Sequence, residues 1–210
     1  MKLTVFGASG GTGSSFVEQA LAAGHDVTAV VRDPARLTIK PHERLAVVTA
    51  NVMDPASIVP AIEGAEAIVN TVGPRGIGPT TVQRDAIRSI LTAMRQAGAR
   101  RLLHVSGSST ADDGESAYMR YLIKPLARAT FLRNSCADMR NAENQIRASG
   151  MDWTIFRPPA LNSKPPRGYR MAIDRNLPHG FSITRADLAA CMVALLEDPA
   201  IVGRHVGVAN

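Results

Sequence analysis

Residues 2–13, KLTVFGASGGTG, constrain this chain more than any other stretch. Leu3, Val5 and Phe6 form an apolar run that stops at Gly7, and glycine recurs at Gly10 and Gly13. Residues 14–23 then place Phe16, Val17, Ala20 and Leu21 on one helical face. Strand, glycine turn and helix, in that order, are the layout of a dinucleotide-binding site. Gly7 lets the chain leave the strand through a tight turn. Gly10 lets the backbone approach a pyrophosphate, and Gly13 lets the helix pack near the strand. The unpaired N–H groups of the helix start, and its dipole, then face the phosphates. A nucleoside-triphosphate P-loop is excluded, because no Gly-Lys-Ser/Thr follows.

The rest of the chain alternates apolar runs with helical periodicity. Strands are expected at 26–31, 45–49, 67–71, 101–105, 153–157 and 205–208. Helices are expected at 54–64, 80–97, 118–149 with a break at Pro125, and from Thr184 to about Glu197. Residues 111–117 and 164–170 read as loops. Strands alternating with helices imply an α/β fold: one Rossmann-like, doubly wound domain over 1–210, with a mostly parallel sheet and helices on both faces. Ligands of such a sheet bind at the carboxyl ends of its strands. The loops 7–13, 71–74, 106–110 and 158–161 are therefore predicted to surround one cleft.

Composition narrows the partners. The net charge is +6 and most of the cations are arginine. Aromatics make up only 4% of the chain and no nucleic-acid motif appears, so solvated arginines and an anionic cofactor account for the charge. Arg133, Arg140 and Arg147 recur every seven residues and read as a solvated helix face. No apolar run approaches the roughly 20 residues of a membrane span. Met1 leads straight into a strand, and no secretory segment is expected. Cys136 and Cys191 share no spacing with the histidines, so no metal site is expected. A monomeric protein of a reducing cytoplasm is the expectation.

Cofactor choice is written at the end of the second strand, Arg32-Asp33-Pro34. An NAD site wants a carboxylate there for the ribose 2′-hydroxyl, and an NADP site wants a cation for the 2′-phosphate. Arg32 holds that position, with Arg36 a turn further on. Asp33 is followed by proline and reads as a cap, so NADP(H) is preferred over NAD(H). Asn51 is open to two readings, a turn cap or a hydrogen-bonding partner of adenine.

Three stretches carry a family resemblance: GASGGTG at the start, VVRDPARL after the second strand, and ENQIRASGMDWTIFRPPAL near residue 150, with TRADL at 184–188 beside them. Together they resemble the NAD(P)H-binding, NmrA-like group of atypical short-chain dehydrogenases/reductases, which includes flavin reductase/biliverdin reductase B. The resemblance implies that Gly7, Ala8, Ser9, Gly10, Gly11, Thr12 and Gly13 hold the pyrophosphate and Arg32 the 2′-phosphate. It implies that Asn51 and Val52 meet the adenine, Thr71, Val72 and Gly73 the ribose, and Pro158 the carboxamide side of the nicotinamide. Ser106 and Ser108 mark the superfamily's catalytic serine, with Ser108 the better match.

One family feature is missing. Ketone-reducing members use a Tyr-x-x-x-Lys pair, and this sequence contains none. If Glu143 matches the glutamate that follows the pair in extended members, Ser135 and Met139 stand in the tyrosine and lysine positions. Neither is a usable acid. Tyr118 and Tyr121 lie nearby, Tyr121 followed by Lys124 at the wrong spacing, and both read as packing over the cleft. His104, on the fifth strand, reads as a satisfied core histidine. Two functions remain open. One is an NADPH-dependent reductase that gives hydride to a conjugated ring acceptor such as a flavin, a quinone or a linear tetrapyrrole. The other is a non-catalytic, NADP(H)-sensing regulator.

Overall fold

A computed structural model of the chain describes residues 1–74, 76, 80–110 and 133–210. Its strands are β1 (Lys2–Phe6), β2 (Asp26–Val31), β3 (Leu45–Thr49), β4 (Ala67–Asn70), β5 (Arg101–Val105), β6 (Asp152–Arg157), β7 (Ala160–Asn162), β8 (Arg170–Ile173), β9 (Ser182–Thr184) and β10 (Arg204–Ala209). Eight of them form one sheet in the order β3-β2-β1-β4-β5-β6-β10-β8. Every pairing in it is parallel except β8 against β10. β7 and β9 form a separate parallel pair. The chain steps outward from β1 to β3, then returns across β1 to β4. That reversal creates a crevice at the carboxyl ends of β1 and β4, where doubly wound sheets bind their ligands.

The helices are α1 (Gly11–Ala22), α2 (Pro55–Ile62), α3 (Val82–Ala97), α4 (Arg133–Arg147) and α5 (Arg185–Ala194). Strand residues alternate between two cores. Leu3, Val5, Val69 and Leu103 meet Phe16, Val17, Leu188 and Met192 of α1 and α5. Phe6, Ile68, Leu102 and Ile155 meet Ile58, Ile87, Ile90 and Ile146 of α2, α3 and α4 on the other face. A central strand buried on both faces has no polar side to show, which is why β4 reads as a continuous apolar run ending in Asn70. Asp54 caps α2 through Ala56 N–H at 3.1 Å, with Pro55 in the first turn. α3 lacks a side-chain cap of its own. Asp138 of α4 supplies it, accepting from Gln83 N–H at 2.9 Å and Arg84 N–H at 3.0 Å.

The sequence-based expectations differ from the structure in a few places. α1 begins at Gly11 rather than at residue 14, because extended Gly10 is its N-cap. The stretch read as loop up to residue 170 gives way to β8, which three exposed residues of four hide from any apolar pattern. β7 and β9 were not anticipated at all, since three-residue strands carry too little periodicity. α5 stops at Ala194, earlier than expected. The arginine stripe is not simply solvated. Arg140 Nε donates to Thr110 O at 3.4 Å, and Arg147 reaches Glu143, Asn144 and His205. The loop expected at 111–117, the first part of the helix expected from 118, Tyr118, Tyr121, Lys124 and the Arg133 side chain lie outside the described residues.

Candidate functional site

The glycine loop is built by close approach. Gly7 has φ 83°, the left-handed region that disfavours a side chain. Its carbonyl accepts from Gly10 N–H at 2.8 Å, closing the turn. Gly13 is packed onto that same carbonyl: a Cβ there would lie 2.2 Å from Gly7 O and 2.7 Å from Thr71 Oγ1. The first N–H groups of α1 have no carbonyl one turn back within the helix, so they are left to a ligand. Thr71 Oγ1 donates to Phe6 O at 3.0 Å and ties the β4 end to β1.

These groups open onto a cleft of about 520 Å³. Gly7, Ser9, Gly10, Gly11 and Thr12 line one side, and Thr71, Val72, Gly73 and Pro74 another. Val30, Val31, Ala50, Val52 and Met53 give an apolar wall at the β2–β3 end. That volume lies within the ordinary range for a cofactor pocket, and the lining is apolar with a few convergent polar groups. Asn51 is in the lining and serves as a cap: its Oδ1 accepts from Met53 N–H at 3.1 Å. The turn-cap reading of Asn51 is thus observed, at a position that also lines the cleft. Two of the residues assigned to the pyrophosphate do not line the cleft. Ala8 is wholly buried in the core, and Gly13 sits behind the loop as a packing residue.

At the far end, Ser9, Arg32, Asp33 and Arg36 surround an adjoining pocket of about 250 Å³. Arg32 and Ser9 belong to both cavities. Asp33 is the cap its sequence context predicts, accepting from Ala35 N–H at 3.1 Å ahead of Pro34–Arg36.

The loop after β5 is organised differently. Ser106 donates its hydroxyl to Glu143 Oε1 at 2.7 Å and is buried. Thr110 Oγ1 donates to the same oxygen at 2.8 Å. Arg157 donates to Glu143 from Nε at 3.2 Å and Nη2 at 2.7 Å, and Arg147 Nη2 reaches Oε2 at 2.5 Å. Burial works to raise the Glu143 carboxyl. The Arg157 hydrogen bond and charge, with the Ser106 and Thr110 hydroxyls, outweigh it and hold it down to about 2. Ser106 thus supports the loop, its hydroxyl committed to Glu143 in this structure. Ser108 is half-buried, its N–H bonded to Pro158 O at 2.8 Å and its carbonyl accepting from Asn176 Nδ2 at 3.2 Å. Pro158 is buried, and its carbonyl is turned to Ser108.

His104 is only half satisfied. Asn70 Oδ1 takes the Val72 N–H at 3.1 Å, so Asn70 Nδ2 donates to His104 Nδ1 at 3.1 Å and the ring proton sits on Nε2. Nε2 is buried with no partner among the described residues. Burial lowers His104 to about 4 against the opposing pull of Glu143, and the ring is neutral. Its effect on the site is to brace the 71–74 loop through Asn70.

Sequence reasoning missed Arg185. It lines the cleft beside Leu161, at the first residue of α5. The TRADL stretch, part of the family resemblance, also caps α5: Thr184 Oγ1 accepts from Asp187 N–H at 3.0 Å.

The family model for NAD(P)H-binding proteins matches residues 7–199. The chain belongs to that family. An uncharacterized chloroplastic protein of Arabidopsis thaliana is 30% identical over 208 residues, covering 94% of this chain and 72% of that protein. The oxidoreductase ylbE from Lactococcus lactis shares the fold at a TM-score of 0.84 and 18% identity, over 100% of this chain and 91% of that one. A wide-type short-chain dehydrogenase/reductase from Veillonella parvula, solved in complex with NADP, superposes at a TM-score of 0.79 and 17% identity, over 100% and 94%. Among the described residues no helix is long and apolar enough to cross a membrane, and no group of three or more metal-ligating side chains occurs.

Proposed function

We propose that this NAD(P)H-binding protein is an NADPH-dependent reductase that passes hydride to a conjugated ring acceptor: a flavin, a quinone or a linear tetrapyrrole. The observation that carries the reading is the second pocket, where Arg32, Arg36 and Ser9 converge at the outer end of the cleft. Two guanidiniums and a hydroxyl suit a dianionic 2′-phosphate, and the one carboxylate lining that pocket, Asp33, already accepts from Ala35 N–H. The same fold holds NADP in the Veillonella parvula protein. When bound, the cofactor supplies the hydride. The chain's own part is to bind and orient: α1's N-terminus at the pyrophosphate, the 71–74 backbone at the nicotinamide ribose, and Asn51 Nδ2 at the adenine.

The acceptor class follows from what α4 presents. Met139 is buried with its sulfur against Gly107, and Ser135 is half-buried, so neither aligned position offers an acid. A simple ketone builds an alkoxide that needs one. A flavin or quinone builds a delocalised anion that a hydrogen bond from Ser108 or from water satisfies. NADPH oxidation is therefore expected with FMN, riboflavin or a quinone and not with simple ketones. If no ring acceptor raises NADPH oxidation above background, the non-catalytic sensor replaces this reading. Arg32→Ala is expected to weaken NADPH binding by roughly thirtyfold, the scale of a bidentate arginine–phosphate pair of about 2 kcal/mol, and to leave NADH unchanged. Calorimetry with both cofactors checks it, and an unchanged NADPH-to-NADH ratio counts against an NADP site.

A further inference from the structure

We propose that Arg185 is a phosphate ligand of the dinucleotide, delivered to the glycine loop by the last helix. The inference rests on the cleft being a dinucleotide site, and adds a cation that neither the glycine pattern nor the residues of the first strands supply.

Three observations on different elements support it. Arg185 lines the cleft. Its stem lies across the start of α1, because a Cβ at Gly11 would come within 2.6 Å of Arg185 Cδ and 2.9 Å of its Nε. Glycine at 11 therefore has a use that no turn geometry demands: it makes room for this side chain. The guanidinium is held in place by a neutral group, Nη1 donating to Ser163 Oγ at 2.9 Å. Among the described residues no carboxylate pairs with it. An uncompensated arginine beside the unpaired N–H groups of a helix start concentrates positive potential at one spot, and a phosphate is the ligand that relieves it.

The backbone that carries Arg185 is anchored. Gln19 Nε2 of α1 donates to Ala186 O at 2.9 Å, pinning the start of α5 to α1. Thr184 caps the helix through Asp187, and Asp187 also accepts from Arg167 N–H, Gly168 N–H and Asn210 Nδ2. Thr184 and Asp187 hold the turn while Arg185, between them, lines the cleft. The three roles explain why threonine, arginine and aspartate stand together at 184, 185 and 187.

Two fragments of the cofactor separate this cation from Arg32. ADP carries the 5′-diphosphate and no 2′-phosphate, and 2′-AMP carries the reverse. By calorimetry Arg185→Ala is expected to weaken ADP and NADPH by roughly tenfold, the scale of a hydrogen bond to a charged group, and to leave 2′-AMP unchanged. Arg32→Ala is expected to do the opposite, weakening 2′-AMP and sparing ADP. Arg185→Lys keeps the charge without the fork and is expected to fall between wild type and alanine for ADP. It carries the test if the alanine variant fails to fold. Wild-type ADP affinity in a folded Arg185 variant overturns the inference and leaves the cofactor reading standing. Equal losses for ADP and 2′-AMP also overturn it, as general damage. A wild-type protein that binds neither NADPH nor ADP overturns both.

Discussion

Gly13→Ala is expected to cost NADPH binding at least a hundredfold and to lower Tm as well. The added methyl would lie 2.2 Å from Gly7 O, 2.8 Å from Gly7 C and 2.7 Å from Thr71 Oγ1. Two of those atoms are backbone, and neither moves cheaply. Gly7 O accepts the Gly10 N–H that closes the turn, and Gly7 already occupies the left-handed region at φ 83°. Relief therefore requires α1 to back away from β1 by about 1 Å, which displaces every N–H group aimed at the phosphates. Misplacement of that size costs on the order of a hundredfold where geometry is the function, and overpacking of this kind costs about 1–3 kcal/mol in stability. Gly11→Ala makes the control. Its methyl meets only the flexible Arg185 side chain, so stability should hold while binding weakens to the level of the Arg185 variants. Calorimetry and thermal unfolding of both variants check the pair. Wild-type affinity in Gly13→Ala would mean that contact with Gly7 does not set the helix position.

Glu143→Gln is expected to lower stability by about 3–5 kcal/mol, or roughly 10 °C in Tm, because it removes the buried carboxylate that Arg157 pairs with. Arg157 is only 7% exposed and Glu143 only 2% on their side chains. Removing the carboxylate leaves the Arg157 guanidinium facing a neutral amide. The Ser106 and Thr110 hydroxyls lose their shared anionic acceptor at the same time. The variant should also change how stability depends on pH. Glu143 is held down to about 2 from an ordinary 4.5, so its contribution is complete above 4.5 and is lost as pH falls from there towards 2. His104 is lowered to about 4 from an ordinary 6.5. Being buried neutral, it contributes above 6.5, and that contribution is lost as pH falls towards 4. Wild-type stability should thus decline in two stages on acidification, His104 first. Glu143→Gln should show a smaller second stage, what remains coming from Asp174 and Asp187, whose carboxyls are also held below their ordinary range by their hydrogen bonds. Urea unfolding at pH 7, 5 and 3.5 tests this, and a variant as stable as wild type at pH 7 would mean that Arg157 finds its compensation elsewhere.

The parts legible from the chain alone are those governed by neighbours in sequence. The order β1, glycine turn, α1 follows from backbone freedom at Gly7 and from apolar periodicity on each side. The caps at Asp54, Asp33 and Thr184 are each closed within three residues. Arg32 and Arg36 lie a turn apart, so their convergence at the strand end needs nothing distant. The parallel sheet follows from the alternation of strand and helix, since a strand of this kind returns to its neighbour only through a crossover.

Tertiary structure decided whatever depends on a partner far along the chain. Ser106 and Ser108 look alike in sequence. Only the arrival of Glu143, 37 residues on, commits the Ser106 hydroxyl to a buried anion. Arg140 and Arg147 have the spacing of a solvated stripe, yet Thr110, Glu143 and His205 take them up. β8 has no pattern of its own and is a strand because β10 offers it an edge. Arg185 sits 174 residues after Gly11, and only the packing of α5 on α1 turns a residue inside a capping motif into a cation over the glycine loop. Local geometry is written in φ angles, caps and periodicity, all read over a few residues. The destination of a long polar side chain is set by which distant group the fold brings within three ångströms of it, and no local pattern encodes that.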